Sequence, residues 1–315
     1  MNQAVSVRKS LDEACCFRSI RGGGVRVIWE IISKCNLDCV HCFVEHTEYG
    51  IETEDALRII DEFPLLPVSK IMFTGGEPFL RRDMLTLVRA CLAQGILVDI
   101  TTNLTHMTPE KIAALREMGL HEITTSLDGP EPIHDRIRRA PGNFKRVVAT
   151  VPELRAAGIA VDIVCVAQRD NADHLGETIA IAHDLGASSI SISGFNHQNR
   201  AARFVDVVSL QDEQLPSVER QIRAARERYG ETFPIRTVSL LQRFAGPVPC
   251  PVQNLIGINA AGQASNCLLA PVPAHQTRDV RQGLKAAWDA LNRDHCCSHG
   301  GFAPLPLVTL GKTAR

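Results

Sequence analysis

Three cysteines on one short stretch, Cys35, Cys39 and Cys42 in CNLDCVHC, are the residues best suited to metal chemistry. They follow directly on a β-branched run and so fall on a loop. Three thiolates spaced C-x3-C-x2-C can each take one iron of a cubane and leave the fourth iron open to a substrate or cofactor. A structural zinc is the alternative, and it asks for four closed ligands. His41 could complete that set, but it lies between two of the cysteines, where simultaneous chelation is cramped. A second constellation, Thr74-Gly75-Gly76-Glu77-Pro78, ends the next run. Paired glycines admit close approach of the backbone to a ligand, and a carboxylate beside them can receive an ammonium group. Taken alone, the same residues also read as an ordinary strand-to-helix turn.

A third group lies towards the C-terminus: Cys250, Cys267, Cys296 and Cys297. From Pro247 onward Pro, Gly, Asn and Cys accumulate, as in a small loop-rich module that a metal holds together. A zinc knot or scattered thiols would also account for them. Of the remaining cysteines, Cys15 and Cys16 read as an inert pair, and Cys91 and Cys165 as small buried hydrophobes.

The elements that must position these groups are legible as an alternation. Runs at 25–32, 70–75, 96–103, 121–129, 159–168 and 188–194 have strand character, and amphipathic helical stretches separate them. Four of those stretches close on glycine, at Gly95, Gly119, Gly158 and Gly186, immediately before the next strand. Such alternation predicts an α/β fold with a parallel sheet and right-handed crossovers. Periodicity alone leaves a partial barrel and an open doubly wound sheet both standing. After Gly194 the pattern breaks, and one more charged helix follows.

Jointly, CNLDCVHC, FTGGEP, TTNL at 101–104 and SLDGPEPIHDRIRRAPGNFKRV at 126–147 resemble the radical S-adenosylmethionine (radical SAM) superfamily. The resemblance implies a partial (β/α)6 TIM-like barrel over residues 25–197, with its site at the C-terminal mouth. It divides the rest into an arm at 1–24, a connecting helical region at 198–246 and a small C-terminal Fe–S module at 247–315. Carried over, Cys35, Cys39 and Cys42 ligate a [4Fe–4S] cluster, and S-adenosylmethionine chelates the open iron. Gly75, Gly76 and Glu77 would bind the methionyl ammonium, Ser126 the ribose and His41 the adenine. Thr102 and Asn103 would face the same mouth, while Arg136 or Arg138 would meet the carboxylate or lie on a solvated helix face. The element from Cys250 through Gly262 to Cys267 resembles the opening of SPASM and twitch modules, which carry an auxiliary [4Fe–4S] cluster. Cys267, Cys296 and Cys297 are then its candidate ligands, and Cys250 is the candidate hydrogen donor. Adjacent cysteines diverge, so one of Cys296 and Cys297 can instead be the free thiol.

The totals exclude some classes of function. With 315 residues, 45% apolar and 22% charged, the chain is an ordinary globular one. A net charge of -1 gives no reason to expect nucleic acid or a membrane surface as partner. Eleven cysteines without a secretory segment read as a cytoplasmic metal protein. Only about two dozen residues precede the first strand, too few for a leader-binding domain. The expectation is therefore a small polar substrate, such as an aminoglycoside or sugar, epimerised with a cysteine thiol as donor. An aminocyclitol dehydrogenase and a peptide-modifying maturase are the alternatives. An electron donor such as flavodoxin or ferredoxin is the implied partner.

Overall fold

The computed structural model describes residues 24–46, 50–196, 199–238, 254–265 and 277–293. The β-branched runs form six strands: β1 (Val25–Ile32), β2 (Val68–Gly75), β3 (Leu97–Thr101), β4 (Glu122–Ser126), β5 (Ala160–Ala167) and β6 (Ser189–Gly194). Between them lie α1 (Thr53–Asp61), α2 (Met84–Ala93), α3 (Pro109–Glu117), the pair α4 (Glu131–Arg138) and α5 (Asn143–Ala156), and α6 (Leu175–Asp184). Gly95, Gly119, Gly158 and Gly186 take positive φ at the ends of α2, α3, α5 and α6, which stops each helix before its strand.

The chain continues through α7 (Leu215–Tyr229), β7 (Ile235–Val238), β8 (Leu255–Ile258), β9 (Gln263–Ser265), β10 (Arg278–Asp279) and α8 (Leu284–Arg293). The pairing order is β10-β9-β8-β1-β2-β3-β4-β5-β6-β7. Every pair from β8 to β7 is parallel, and only β8–β9 and β9–β10 are antiparallel. This is the partial TIM-like barrel that the family resemblance implies, where the alternation alone also allows an open doubly wound sheet. The same sheet also takes in β7 on one edge and β8 to β10 on the other, on either side of the six central strands. Cys15, Cys16, Cys250, Cys267, Cys296 and Cys297 lie outside the described residues.

The two faces of the sheet differ in chemistry. Val27, Trp29, Ile31, Phe73, Ile100 and Ile163 are at most 1% exposed and join the helices in one apolar core. Each such side chain contributes about 1.5–3 kcal/mol by leaving water. Cys91 and Cys165 belong to that core, as their surroundings in the sequence imply. The alternate residues face inward, and here the strands are polar. Near the strand starts, Lys70 Nζ meets Glu122 Oε2 at 2.5 Å and Asp99 Oδ2 at 4.0 Å. On the neighbouring strands Arg236 Nη1 reaches Asp162 Oδ2 at 3.2 Å and Ser189 Oγ at 2.9 Å. The floor of the barrel is thus an ion-paired layer. Above it, Glu30, Thr74, Ser126, Ser191 and Ser193 are only half-buried. Towards the strand C-termini the inner face thus carries hydroxyls and one carboxylate beside the apolar Met72 and Val164.

Candidate functional site

The cysteine loop leaves the end of β1 and is zipped at once to the end of β2. Gly76 N donates to Ile32 O at 2.7 Å, and Glu77 N donates to Lys34 O at 3.0 Å. Gly75 has φ +129, and a Cβ there would stand 1.9 Å from Ile32 O. A Cβ on Gly76 would stand 2.0 Å from Lys34 O. The close approach that the paired glycines permit is therefore to the chain's own backbone, which builds the platform carrying the loop.

Glu77 is fully buried and braces that platform against β3. Its Oε1 accepts from Phe79 N at 3.0 Å and from Thr102 Oγ1 at 2.8 Å, and its Oε2 accepts from Asn103 N at 2.8 Å. Burial still lifts its carboxyl above the usual range despite those donors. Thr102 is itself buried, at 3% exposure, so it serves as a brace beneath the mouth. Asn103 looks the other way: its Nδ2 donates to Asn36 Oδ1 at 3.0 Å and lies 3.9 Å from Cys35 Sγ. Asn36 in turn donates to Thr105 Oγ1 at 2.9 Å, so the ends of β1 and β3 hold the loop from both sides.

Cys39 is buried, and Cys35 and Cys42 are half-buried at the mouth. Burial pushes the Cys35 thiol up to about 12 and raises Cys42 as well, so loading with iron must release their protons. Among the described residues no group of three or more His, Cys, Asp or Glu is gathered around a single metal position. The donor set fits the cluster instead: three soft sulfurs on one loop, with no fourth cysteine beside them among the described residues.

Behind the loop lies a buried polar group that motif reading largely missed. Arg138, on the last turn of α4, places Nη1 3.8 Å from Cys39 Sγ. Its Nε stands 2.7 Å from Asp128 Oδ2, a charge contact without hydrogen-bond alignment. Asp128 is fully buried, and its Oδ1 accepts from Val166 N at 3.0 Å. Burial alone would drive both groups towards neutrality, but each holds the other charged: the Asp128 carboxyl sits below its ordinary value and the Arg138 guanidinium above. His134 Nδ1 accepts from Asp128 N at 3.1 Å, and its Nε2 meets Asn143 Oδ1 at 2.9 Å.

His41 is 9% exposed and has an Nδ1 with no hydrogen-bond partner. Burial, then the nearby Arg138, pushes it down to about 4, so it is neutral. Ser126 ends β4 on the inner face, half-buried. Arg136 is turned outward, 59% exposed, to Asp170 at 3.1 Å. The sequence marks Arg136 or Arg138 for the cofactor carboxylate or a solvated helix face; Arg136 takes the solvated place, while Arg138 is buried against Cys39 and Asp128.

Residues 29–182 match the family model of the radical SAM superfamily. The barrel is a radical SAM domain. A [4Fe–4S] cluster and S-adenosylmethionine are the cofactors of such a domain, and the three cysteines fit the cluster. The AdoMet-dependent heme synthase of Oleidesulfovibrio alaskensis is 32% identical over 182 residues, which covers 56% of this chain and 47% of that one. The PqqA peptide cyclase of Ruegeria pomeroyi is 32% identical over 188 residues, covering 56% and 50%. The chain spans about half the length of these curated relatives. Streptococcus suis SuiB bound to S-adenosylmethionine superposes with a TM-score of 0.70 over 90% of this chain and 69% of that one, at 15% identity. SuiB bound to its precursor peptide SuiA gives 0.69 over 84% and 64%, at 14% identity. At such identities the likeness is one of fold. Among the described residues no helix is long and apolar enough to cross a membrane.

Proposed function

We propose that the chain is a radical SAM enzyme that modifies a peptide. When bound, the cluster and S-adenosylmethionine supply one electron and a carbon radical able to take hydrogen from an unactivated C–H bond. In this reading Cys35, Cys39 and Cys42 ligate the cluster. The Gly75-Gly76-Glu77 turn, braced from within by the buried Glu77 carboxylate, offers its backbone to the methionyl ammonium, Ser126 meets the ribose and His41 the adenine, while Asn103 keeps the loop in place through Asn36. An auxiliary [4Fe–4S] cluster on Cys267, Cys296 and Cys297, with Cys250 as a thiol donor, belongs to the same proposal.

The observation that carries the substrate class is the likeness to proteins named for peptide substrates, with which the polar inner face of the strands agrees. Half-buried hydroxyls of Thr74, Ser126, Ser191 and Ser193 line it together with Glu30, a carboxylate with no partner among the described residues. Peptide groups bring one donor and one acceptor per residue, which suits such a face. Two of the similar proteins are named for peptide substrates, the PqqA peptide cyclase and SuiB with SuiA. We therefore prefer a peptide to the aminoglycoside or sugar expected from the sequence, and epimerisation has no support beyond that expectation. The heme synthase relative favours a tetrapyrrole as second reading.

The test is anaerobic turnover of the reconstituted enzyme with dithionite, S-adenosylmethionine and synthetic peptides translated from the short reading frames of the flanking DNA. Mass spectrometry should find a peptide changed by hydrogen loss, or labelled from D2O, with one 5′-deoxyadenosine per event. An unchanged peptide with consumption of an added iron–coproporphyrin would overturn this reading in favour of the second.

A further inference from the structure

We infer that Arg138 is a positioning and tuning residue that raises the reduction potential of the iron–sulfur cluster through Cys39. Several independent contacts fix the guanidinium. Arg138 is 8% exposed, its Nη1 points at Cys39 Sγ from 3.8 Å, and its Nε is against Asp128. The helix that carries it is tied to the loop by Val40 N donating to Ile137 O at 3.1 Å. The next residue, Arg139, takes φ +49 and turns outward to Asp38 at 2.7 Å. The backbone therefore sends one arginine inward and its neighbour to solvent.

The order of charges is what gives the arrangement an electrical consequence. From the loop inward the sequence is sulfur, guanidinium, carboxylate. The positive end of a buried ion pair faces the ligand, and the negative end is one residue further away. Reduction adds one electron to the cluster, and a cation in low-dielectric surroundings stabilises that added charge. An N–H aimed at the ligating sulfur acts in the same direction. Arg200 does not duplicate it: that guanidinium donates to the Cys39 carbonyl at 3.3 Å and is paired with Asp38.

The inference rests on Cys39 being a cluster ligand, which the iron content of Cys39→Ala tests separately. Its own test is a redox titration of the reconstituted enzyme with dithionite and mediators. The cluster is followed by the electron paramagnetic resonance signal that shifts when S-adenosylmethionine is added. Arg138→Gln should lower the reduced-to-oxidised ratio at a fixed poise about tenfold, which is about 59 mV for one electron. Arg138→Lys, which keeps the cation, should stay near the parent. Asp128→Asn should move the midpoint the opposite way, because it removes the opposing charge and leaves Arg138 in place. A role confined to holding the loop would not give shifts of opposite sign. An Arg138→Gln protein with full iron and an unchanged midpoint overturns the inference. If Arg138→Gln does not load iron, Asp128→Asn decides: an upward shift supports the inference, and no shift or a downward one overturns it.

Discussion

Thr102 Oγ1 donates to Glu77 Oε1 at 2.8 Å, and this one bond joins the ends of β2 and β3 directly beneath the cysteine loop. The same carboxylate also takes the backbone N–H groups of Phe79 and Asn103. Glu77→Ala leaves three donors without an acceptor in a buried site. The expected cost is about 3 kcal/mol or more of stability. Anaerobic thermal unfolding of Glu77→Ala against Thr102→Val should show the larger loss in the former, since the latter removes only one of the three donors.

Arg81 performs a similar service on the outer side of β1. Its Nη1 donates to Ile31 O at 3.2 Å and to Ile51 O at 2.9 Å, and Asp83 clamps it at 2.6 and 3.0 Å. Arg81→Ala takes this donor from two carbonyls and leaves the Asp83 carboxylate with Thr53 Oγ1 as its side-chain donor. A loss of about 2–4 kcal/mol is expected, with slower recovery of iron on reconstitution as the loop loses its anchor. Denaturant unfolding and iron counting read the two effects separately.

Asp99 predicts a pH dependence of stability. Burial, only partly offset by Lys70, pushes its carboxyl up to about 7, above its unfolded value. The folded state therefore holds a proton that the unfolded state has released. The stability from this group is full below about pH 4 and is lost as pH rises through about 7. Asp99→Asn can keep the Thr124 bond and has no such titration. The stability of the parent relative to Asp99→Asn should fall between pH 4 and 7 and then level off. A constant difference across that range would rule the coupling out.

Glu30 makes a prediction about the inner face. Burial pushes it up to about 7, and no cation faces it among the described residues. A peptide donor reaching it would gain a charge-assisted bond worth about 1.5–3 kcal/mol. Glu30→Gln should raise KM for the peptide about tenfold while 5′-deoxyadenosine formation without peptide stays at the parent rate. Equal KM values would remove Glu30 from substrate contact.

Iron stoichiometry separates the two cluster proposals. Substituting Cys35, Cys39 and Cys42 together with alanine should remove about four irons per chain and all cleavage of S-adenosylmethionine. If Cys267, Cys296 and Cys297 hold a second cluster, about four irons should remain. Cys250→Ala should then leave the iron unchanged and stop product formation after hydrogen abstraction.

Much of this protein is fixed by local sequence. Strand and helix alternation, the glycine stops and the order of CNLDCVHC and FTGGEP depend on neighbours within a turn or a strand. Hydrophobic period and backbone sterics act at that range, so these features can be read off directly. The glycines of FTGGEP illustrate the limit. Their need was legible, but what they approach, the backbone of Ile32 and Lys34, depends on a strand some forty residues away. The same holds for the inner face, where Lys70, Asp99, Glu122, Asp162 and Arg236 each interrupt a strand with a charge. Only the parallel register closes those breaks into an ion-paired floor. Arg138 and Arg136 are the plainest case, two arginines of one helix with the same local surroundings. One is buried against Cys39 and the other lies in solvent, because the face that α4 turns to the loop is set by tertiary packing.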